Sequence, residues 1–544
     1  GEEMSEEREL WDKYCSFLEK PFSEQIAYCE ERLNKYFEKW KKTKTARNLM
    51  RKTRKKFEKF EDVPLTTYRD YPILHKFGAK IDALTANKPR KRGERLFNYY
   101  SKLFSELKPM LDGWMVGEFS YAAKTSGTSG KPKWIAHNAI CLEDYERSCV
   151  TLAGMMCSES WGETKAKEGD IGLNIAAPIP YISGWGLLLG SRHFKIIPPV
   201  EIAEEVTDMG KRLWMILKEI EKGRKPAFAA GVASFFQLVC RYLKNKASIF
   251  KEYYESLNFG SAKFYMFFKW LHSRFFSKSC KKVRELLPLK GLGVAGVNIA
   301  PYKDFFVKEF GVEPTNIYGS TEFPVMMYGP PDRKTYLIPD LRMGYYEFIN
   351  ERGEVKRIDE LKRGKTYELV GTSMGGMLIR YRMEDLLTVV DFRDDGMPYF
   401  AFKSRVSELL DFYGYFRIGE ELFSRVLDQI GLRYFEKWAL TKETRRDSEY
   451  IRVLMEMPWE YSEERTAKMI FENLLQLSDD FQSYVKDFSI KHPKEIIKVE
   501  YLGKGAFLKY SLNKIKEGAE LGQIKPPKIV PPERKEVLDL LESV

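Results

Sequence analysis

Apolar positions at the beginning of the chain repeat with a helical period. Leu10, Tyr14 and Leu18 lie four residues apart, and similar spacing continues to about residue 62. This spacing places the apolar side chains on one face of a helix. At Val63 an extended segment begins and leads to a further helix start. The pattern therefore predicts an N-terminal helical segment over residues 1–62, with an α/β body beginning near residue 63.

The middle of the chain alternates between short apolar runs and amphipathic segments. A buried strand is predicted at Ile171, followed by a loop and a helix start near Gly184. A second strand is predicted over residues 291–298, then a helix near 301–310 and a short strand ending at Tyr318. Repeated strand, loop and helix units indicate a mainly parallel sheet, in which ligands bind at the carboxyl ends of the strands.

The pattern changes after residue 345. Short alternating strands with charged turns are predicted at 346–349, 366–370 and 377–381, which indicates a small antiparallel subdomain. Beyond Arg405 the chain has the pattern of a smaller α+β unit. The predicted fold is α/β, with a large domain over 63–403 and a small C-terminal domain over 412–544.

Composition and charge narrow the class of protein only a little. The 544 residues are 44% hydrophobic, enough for a substantial core, and the net charge of +12 comes from both signs scattered along the chain. Seven cysteines without a Cys-x-x-Cys pair favour reduced thiols and a cytoplasmic setting. The histidines are too dispersed to predict a metal site, and neither a signal peptide nor a transmembrane run is expected.

Two stretches rich in basic residues allow two interpretations each. The run at residues 51–56 is interpreted as a solvated helix face rather than a nucleic-acid surface, because no aromatic residues are interleaved with it. The aromatic and basic stretch at 249–282 fits a helix packed on the sheet or a peripheral contact with a membrane. No stable nucleic-acid partner is expected.

Hydroxyls, glycines and lysines are concentrated between Thr125 and Lys133. Backbone N–H groups, hydroxyl donors and positive charge can converge on a polyphosphate in such a loop. A Walker A loop is excluded, because Thr125 replaces its first glycine and Pro132 replaces its metal-binding hydroxyl. A flexible polar linker is the alternative. The strand predicted at Trp134 is required if the loop joins two strands.

The order of several motifs resembles the adenylate-forming superfamily of acyl-CoA synthetases and luciferases. These motifs are the loop at 125–133, the turn 318–322, the segment 381–386, Arg405 and a lysine in the proline-flanked ending 522–528. Within the superfamily, segments 63–71 and 522–528 look most like the Gretchen Hagen acyl-acid amido synthetases. Segment 378–386 is also similar to phenylacetate-CoA ligases, so the acceptor stays open between an amino acid and coenzyme A.

The resemblance implies a role for each matching position. The implied ATP-binding residues are Ser126, Gly127, Thr128, Ser129, Gly130 and Lys133 at the β- and γ-phosphates, Tyr318 with Gly296 and Val297 at adenine, and Asp385 with Arg405 at the ribose. The alternatives without nucleotide binding are a common polar turn for the Tyr318 segment and a helix cap for Asp385.

Three further residues are implied to carry the chemistry. Thr321 would bind the α-phosphate, Glu322 would bind Mg²⁺, and Lys525 would be the catalytic lysine, with a solvent-exposed lysine as the alternative. Residues 404–411 would form a hinge. The function implied is ATP- and Mg²⁺-dependent activation of a carboxylic acid, followed by amide formation or thioester formation with coenzyme A. A catalytically silent nucleotide-binding or nucleic-acid-binding protein is the third alternative.

Overall fold

The computed structural model describes most of the chain. The described residues are 8–125, 133–206, 209–244, 282–295, 299–406, 410–412, 416–433, 435–445, 448–456, 460–487, 490–517, 526–530, 532 and 534–542. The chain divides into two compact units. The first comprises Gly1–Phe402 with Ile515–Gly522, and the second comprises Lys403–Lys514 with Gln523–Val544.

The predicted helices near the N-terminus are confirmed. Two helical turns, Trp11–Cys15 and Ser16–Glu19, precede helices α1 (Phe22–Trp40) and α2 (Lys44–Thr53). Thr43 caps α2, because its hydroxyl accepts a 3.2 Å hydrogen bond from the Ala46 N–H. Apolar side chains of this region join the same hydrophobic core as the body that follows.

The body begins with two helices and a hairpin. Helices α3 (Pro72–Asn87) and α4 (Leu96–Leu111) precede strands β1 (Phe119–Lys124) and β2 (Trp134–Asn138), and α5 (Ala139–Met156) follows. Strands β1 and β2 pair antiparallel and contain mostly buried residues.

A seven-stranded, parallel-rich sheet forms the centre of the first unit. Its strands are β3 (Ile171–Leu173), β4 (Lys195–Ile197), β5 (Phe228–Val232), β6 (Gly291–Ala295), β7 (Thr315–Tyr318), β8 (Met327–Tyr328) and β9 (Ile338–Pro339). The order is β4-β3-β5-β6-β7-β8-β9, parallel from β4 to β7 and antiparallel at β8 and β9. Its helices are α6 (Ile182–Gly190), α7 (Val200–Glu205), α8 (Met209–Glu221), α9 (Ala233–Lys244) and α10 (Lys303–Phe310).

Glycine in β6 allows a close approach of α5. A Cβ placed on Gly291 would clash with the carbonyl oxygen of Met156, the last residue of α5. Only glycine fits such a backbone contact without displacement. The glycine at the start of this predicted strand therefore reflects packing against the helix end.

An antiparallel sheet of five strands forms the predicted subdomain. The strands are β10 (Tyr345–Ile349), β11 (Val355–Arg357), β12 (Thr366–Thr372), β13 (Tyr381–Phe392) and β14 (Pro398–Arg405), in the order β11-β10-β12-β13-β14. The predicted strand at 377–381 is wrong except for its last residue. Arg380 has φ +44°, which interrupts extended backbone, so the strand begins at Tyr381.

The second unit is a smaller α+β structure. Its elements are β15 (Leu410–Phe412), β16 (Phe416–Ile418), α11 (Glu420–Ile430), β17 (Trp438–Arg445), β18 (Ser448–Glu456), α12 (Glu463–Leu477), α13 (Asp479–Asp487), β19 (Ile497–Leu502), α14 (Ala506–Lys516), β20 (Ile529–Val530) and α15 (Lys535–Glu542). Strands β19, β18, β17 and β20 form a mixed four-stranded sheet in that order. The predicted fold class is confirmed, with a large α/β first part and a small α+β second part.

Among the helices within the described ranges, none combines the length and the apolarity needed to cross a membrane. The aromatic and basic stretch falls outside the described residues from 249 to 281.

Candidate active site

The hydroxyl-rich stretch connects the two strands of a hairpin. Lys124 at the end of β1 pairs with Trp134 at the start of β2. The Thr125 N–H donates to the Lys133 carbonyl over 2.8 Å, and the Lys133 N–H donates to the Thr125 hydroxyl over 3.0 Å. The prediction that this loop joins two strands is confirmed. Ser126, Gly127, Thr128, Ser129 and Gly130 lie outside the described residues.

Tyr68 holds the strand that leaves this loop. Its hydroxyl donates to the Trp134 carbonyl over 3.1 Å and accepts from the Trp134 N–H over 3.3 Å. The Lys133 ammonium lies 5.3 Å from the centroid of the Tyr68 ring, within cation–π range. Tyr68 therefore fixes both the backbone at the loop exit and the position of the adjacent lysine. The sequence placed Tyr68 in a family-like segment but gave it no role.

For the ATP-dependent activity that the resemblance implies, Tyr68→Phe is expected to raise the KM for ATP about fivefold to tenfold. The substitution removes both hydrogen bonds to Trp134, worth about 1 kcal/mol net, but keeps the ring beneath Lys133. Steady-state kinetics of ATP-dependent pyrophosphate release measures the change. The matched control is Tyr99→Phe, which removes a 2.7 Å hydroxyl bond to the Lys88 carbonyl. An equal rise of KM in both variants would contradict a local role for Tyr68.

Tyr318 and Asp385 are brought together from two different sheets. Tyr318 ends β7 of the parallel-rich sheet, and its hydroxyl donates to the Asp385 carboxylate over 2.5 Å. The Tyr318 ring stacks against Phe402, with centroids 6.1 Å apart. Asp385 is half-buried inside β13, so the helix-cap interpretation is wrong. The two motifs, 67 residues apart in sequence, thus meet at one place.

The charge of Glu322 acts on two tyrosines at this place. Burial, assisted by the negative charge of Glu322, raises the pKa of Tyr68 to about 12. Burial raises the pKa of Tyr381 as well, and Glu322 is again the main charge contributing. Among the described residues, the half-buried Glu322 carboxylate has no hydrogen-bond or ion-pair partner. Within the described residues, the Glu322 carboxylate in the turn after β7 is therefore available to bind a ligand, and it lies close to Tyr68, which supports the loop exit.

Thr321 lies in the same turn as Glu322 and contributes a buried hydroxyl. The residue is fully buried, and its hydroxyl finds no partner among the residues that the structure describes. Its carbonyl oxygen lies 3.0 Å from Nε2 of His137, near the end of β2. The role of His137 could not be predicted from the sequence, where it is one polar residue near the end of an apolar strand.

Burial lowers the pKa of His137 to about 4, although its bond to the Thr321 carbonyl acts in the opposite direction. Between about pH 6.5, the ordinary histidine value, and pH 4, the unfolded chain binds a proton there that the folded chain does not. His137 therefore contributes a loss of stability as the pH falls through this window. The loss approaches about 3 kcal/mol at pH 4.

His137→Gln, which has no titrating group, is accordingly expected to lose less stability than the wild type between pH 7 and pH 4. Urea denaturation of both proteins at the two pH values measures the difference. Equal losses in the two proteins would contradict a buried, neutral histidine.

The functional groups of Thr321, Glu322 and Lys133 fit a magnesium nucleotide. The buried Thr321 hydroxyl, which has no partner among the described residues, can donate to a phosphate oxygen, and the Glu322 carboxylate is the hard oxygen ligand that Mg²⁺ prefers. Lys133 supplies positive charge nearby. Gly296, Val297 and Lys525 lie outside the described residues, and Arg405 is the last residue of β14.

Two of the family-like segments, 63–71 and 378–386, contact each other. The Thr66 hydroxyl donates to the Ile379 carbonyl over 2.6 Å, and the Tyr71 hydroxyl accepts from the Ile379 N–H over 2.9 Å. Arg380 makes two 3.0 Å hydrogen bonds to Glu347, and both residues are buried. The bonds to Ile379 tie segment 63–71 to the residues that lead into β13, the strand that carries Asp385.

Trp185 belongs to the core rather than to an open pocket. It is 2% exposed, packs against Phe104 and Tyr121, and donates its indole N–H to the Ala122 carbonyl over 3.2 Å. Trp185 is therefore a core residue.

Comparison with known proteins places the fold. Residues 337–405 match the model of the GH3 family central domain. A GH3.15 acyl acid amido synthetase structure is 18% identical, with a TM-score of 0.66, and the match covers 97% of this chain and 95% of that chain. A complex of AtGH3.15 acyl acid amido synthetase with 2,4-DB is 17% identical, with a TM-score of 0.64 and coverage of 95% for both chains.

A structure from another branch has the same fold. 2-Hydroxyisobutyryl-CoA ligase, in the postadenylation state with 2-HIB-AMP, is 16% identical with a TM-score of 0.54, covering 96% of this chain and 94% of that chain. No protein with a curated description matches the sequence. The predicted resemblance is confirmed: this chain has the fold of the adenylate-forming superfamily and carries a GH3-like central domain.

Proposed function

We propose that this protein activates a carboxylic acid with ATP and transfers the acyl group to an amino acid as an amide. The observation that carries the proposal is the convergence of Tyr318, Asp385, Thr321 and Glu322 beside the exit of the hydroxyl-rich loop. Each of these positions matches a nucleotide-binding position of the adenylate-forming family. The carboxylate, the hydroxyl and the lysine are also the groups that a magnesium nucleotide requires.

The proposed reaction has two steps. An oxygen of the carboxylate attacks the α-phosphorus of ATP, the bond from that phosphorus to the bridging oxygen breaks, and pyrophosphate leaves. The amine then attacks the acyl carbon of the acyl-adenylate, losing a proton and releasing AMP. Charge builds up at the α-phosphate in the first step, so donors that face it lower the barrier.

We assign the roles to this chain as follows. Thr321 donates its hydroxyl to the α-phosphate, and Asp385 accepts from the ribose hydroxyls while Tyr318 holds its carboxylate in place. Lys133, with Ser126, Thr128 and Ser129, binds the β- and γ-phosphates. Glu322 would hold Mg²⁺, which when bound neutralises phosphate charge. Lys525 is kept as the catalytic lysine, on its match to the family motif alone.

Thioester formation with coenzyme A is the second candidate function. Segment 378–386 is similar to phenylacetate-CoA ligases, and the fold match to a CoA ligase favours keeping it. The first step is the same in both candidates, and only the nucleophile of the second step differs. The GH3-like central domain at 337–405 is the reason for placing the amide first.

The test measures pyrophosphate release from ATP and Mg²⁺ across aromatic, fatty and short-chain acids. Hydroxylamine is included to trap an acyl-adenylate as the hydroxamate. We expect release that depends on the acid and forms hydroxamate in equal amount. Replacing hydroxylamine by each amino acid, or by coenzyme A, then identifies the acceptor by the product's mass.

Each outcome decides between the candidates. An amide product supports the first function, and a thioester product replaces it with the second. ATP binding without release of pyrophosphate with any acid would indicate a silent nucleotide-binding protein. RNA binding that falls steeply with salt would instead indicate a nucleic-acid-binding protein.

A further inference from the structure

We propose that His137 is a positioning residue for adenylation, whose Nε2–H group holds the Thr321 carbonyl and thereby fixes the Thr321 hydroxyl that faces the α-phosphate. The inference rests on the proposed function. It adds a residue that none of the family-like motifs includes.

The hydrogen bond fixes the tautomer of the ring. A carbonyl oxygen can only accept, so Nε2 of His137, 3.0 Å from the Thr321 oxygen, must carry the proton. In the neutral ring Nδ1 then carries a lone pair, and Nδ1 is buried without a partner among the described residues. Desolvation favours this uncharged state of a side chain that is 1% exposed. His137 is thus a permanent donor at neutral pH rather than an acid or base.

The orientation of the ring is fixed by its neighbours. Tyr121 is the cross-strand partner of His137 in the β1–β2 hairpin, and the two rings stack with centroids 4.8 Å apart at 22°. The His137 backbone also forms a β-bridge with Gly376. A ring held in this way presents Nε2 in one direction only, so its donor is preorganised.

The bond links two parts of the candidate site that are distant in sequence. His137 lies four residues after Lys133 on the strand that leaves the hydroxyl-rich loop, whereas Thr321 lies in the turn after β7. The Thr321 hydroxyl has no partner of its own, so no hydrogen bond among the described residues orients it directly. Fixing the Thr321 carbonyl fixes the peptide that carries this hydroxyl. A misplacement of about 1 Å at such a group can cost about 10²-fold in rate.

Two substitutions separate the donor from the packing role. His137→Phe keeps a ring that can stack on Tyr121 but has no donor. His137→Gln loses the stacking, but its amide can place a donor where Nε2 was. Thermal midpoints of both variants report folding, and acid-dependent pyrophosphate release gives kcat and KM for ATP.

We expect His137→Phe to lower kcat about tenfold to a hundredfold, and His137→Gln to restore it to within about fivefold of the wild type. In a Thr321→Val background, His137→Phe should lower kcat less than about twofold, because the hydroxyl that it positions is gone. We therefore expect kcat to depend on the presence of a hydrogen-bond donor at position 137 and not on the thermal midpoint of the variant.

Three results would overturn the proposal. If the wild type is active, an equal loss of kcat in His137→Phe and His137→Gln that parallels their thermal midpoints would make His137 a packing residue. If His137→Phe lowers kcat by the same factor in the wild type and in the Thr321→Val background, His137 does not act through Thr321. A wild type that binds ATP but releases no pyrophosphate with any acid would remove the proposed function, and this proposal with it.

Discussion

Asp385→Ala is expected to abolish acid-dependent pyrophosphate release, with kcat/KM for ATP falling about 10²-fold to 10⁴-fold. The carboxylate is proposed to accept two hydrogen bonds from the ribose, and bonds to charged groups contribute about 1.5–3 kcal/mol each. The substitution also leaves the Tyr318 hydroxyl without the partner that it has at 2.5 Å. Kinetics of pyrophosphate release at varied ATP concentrations measures the effect.

Two control variants locate the cause of that loss. Asp391→Ala removes a half-buried carboxylate from the same strand β13, where its ion pairs with Arg333 and Arg363 are 3.7 and 3.8 Å long. It should leave kcat/KM for ATP within about twofold, since loosely paired charges contribute little. Tyr318→Phe keeps the Asp385 carboxylate and should cost about tenfold or less. Full activity in Asp385→Ala would remove Asp385 from the site.

Lys525→Ala is expected to slow acyl-adenylate formation about 10²-fold to 10³-fold while leaving the KM for ATP nearly unchanged. A lysine that contacts the α-phosphate mainly in the transition state lowers the barrier without adding to substrate binding. Transfer of the acyl group from chemically prepared acyl-adenylate should proceed at the wild-type rate, since that step does not build charge on the α-phosphate.

The half-reactions make this prediction specific. Single-turnover measurements of pyrophosphate release and of product formation from the adenylate are compared in the same variant. Lys504→Ala, which removes an exposed lysine of the second unit, is the matched control and should affect neither step. Equal slowing of both half-reactions in Lys525→Ala would contradict a role confined to adenylation.

The sequence predicted the elements that have strong local patterns. Helical spacing near the N-terminus and the short apolar runs around 171, 291 and 316 are such patterns, and the strand at Trp134 was expected if the loop at 125–133 joins two strands. The strand predicted at 377–381 failed because Arg380 adopts a left-handed conformation. Buried contacts with Glu347 over a long sequence separation hold that arginine, and a local pattern contains no sign of them.

The candidate site residues likewise include some that the sequence could predict and some that only the structure reveals. Tyr318 and Asp385 could be proposed from motif order, and the structure brings them into contact. Tyr68 and His137 could not, because their importance lies in bonds to Trp134 and Thr321 that depend on how distant strands pack. An aromatic or a histidine in an apolar segment is ordinarily a core residue, so its sequence context gave no reason to single it out.

The central claim is that a carboxylate oxygen attacks the α-phosphorus of ATP, and isotope transfer tests it most directly. The acid identified by the pyrophosphate assay is labelled with ¹⁸O in both carboxylate oxygens and turned over with ATP and its acceptor, and the nucleotide product is analysed by mass. Attack at the α-phosphorus predicts AMP that carries one ¹⁸O atom, because the bridging oxygen of the acyl-adenylate stays with AMP when the acyl group is transferred. Turnover that yields ADP, with ¹⁸O in inorganic phosphate, would indicate an acyl-phosphate instead and contradict the account.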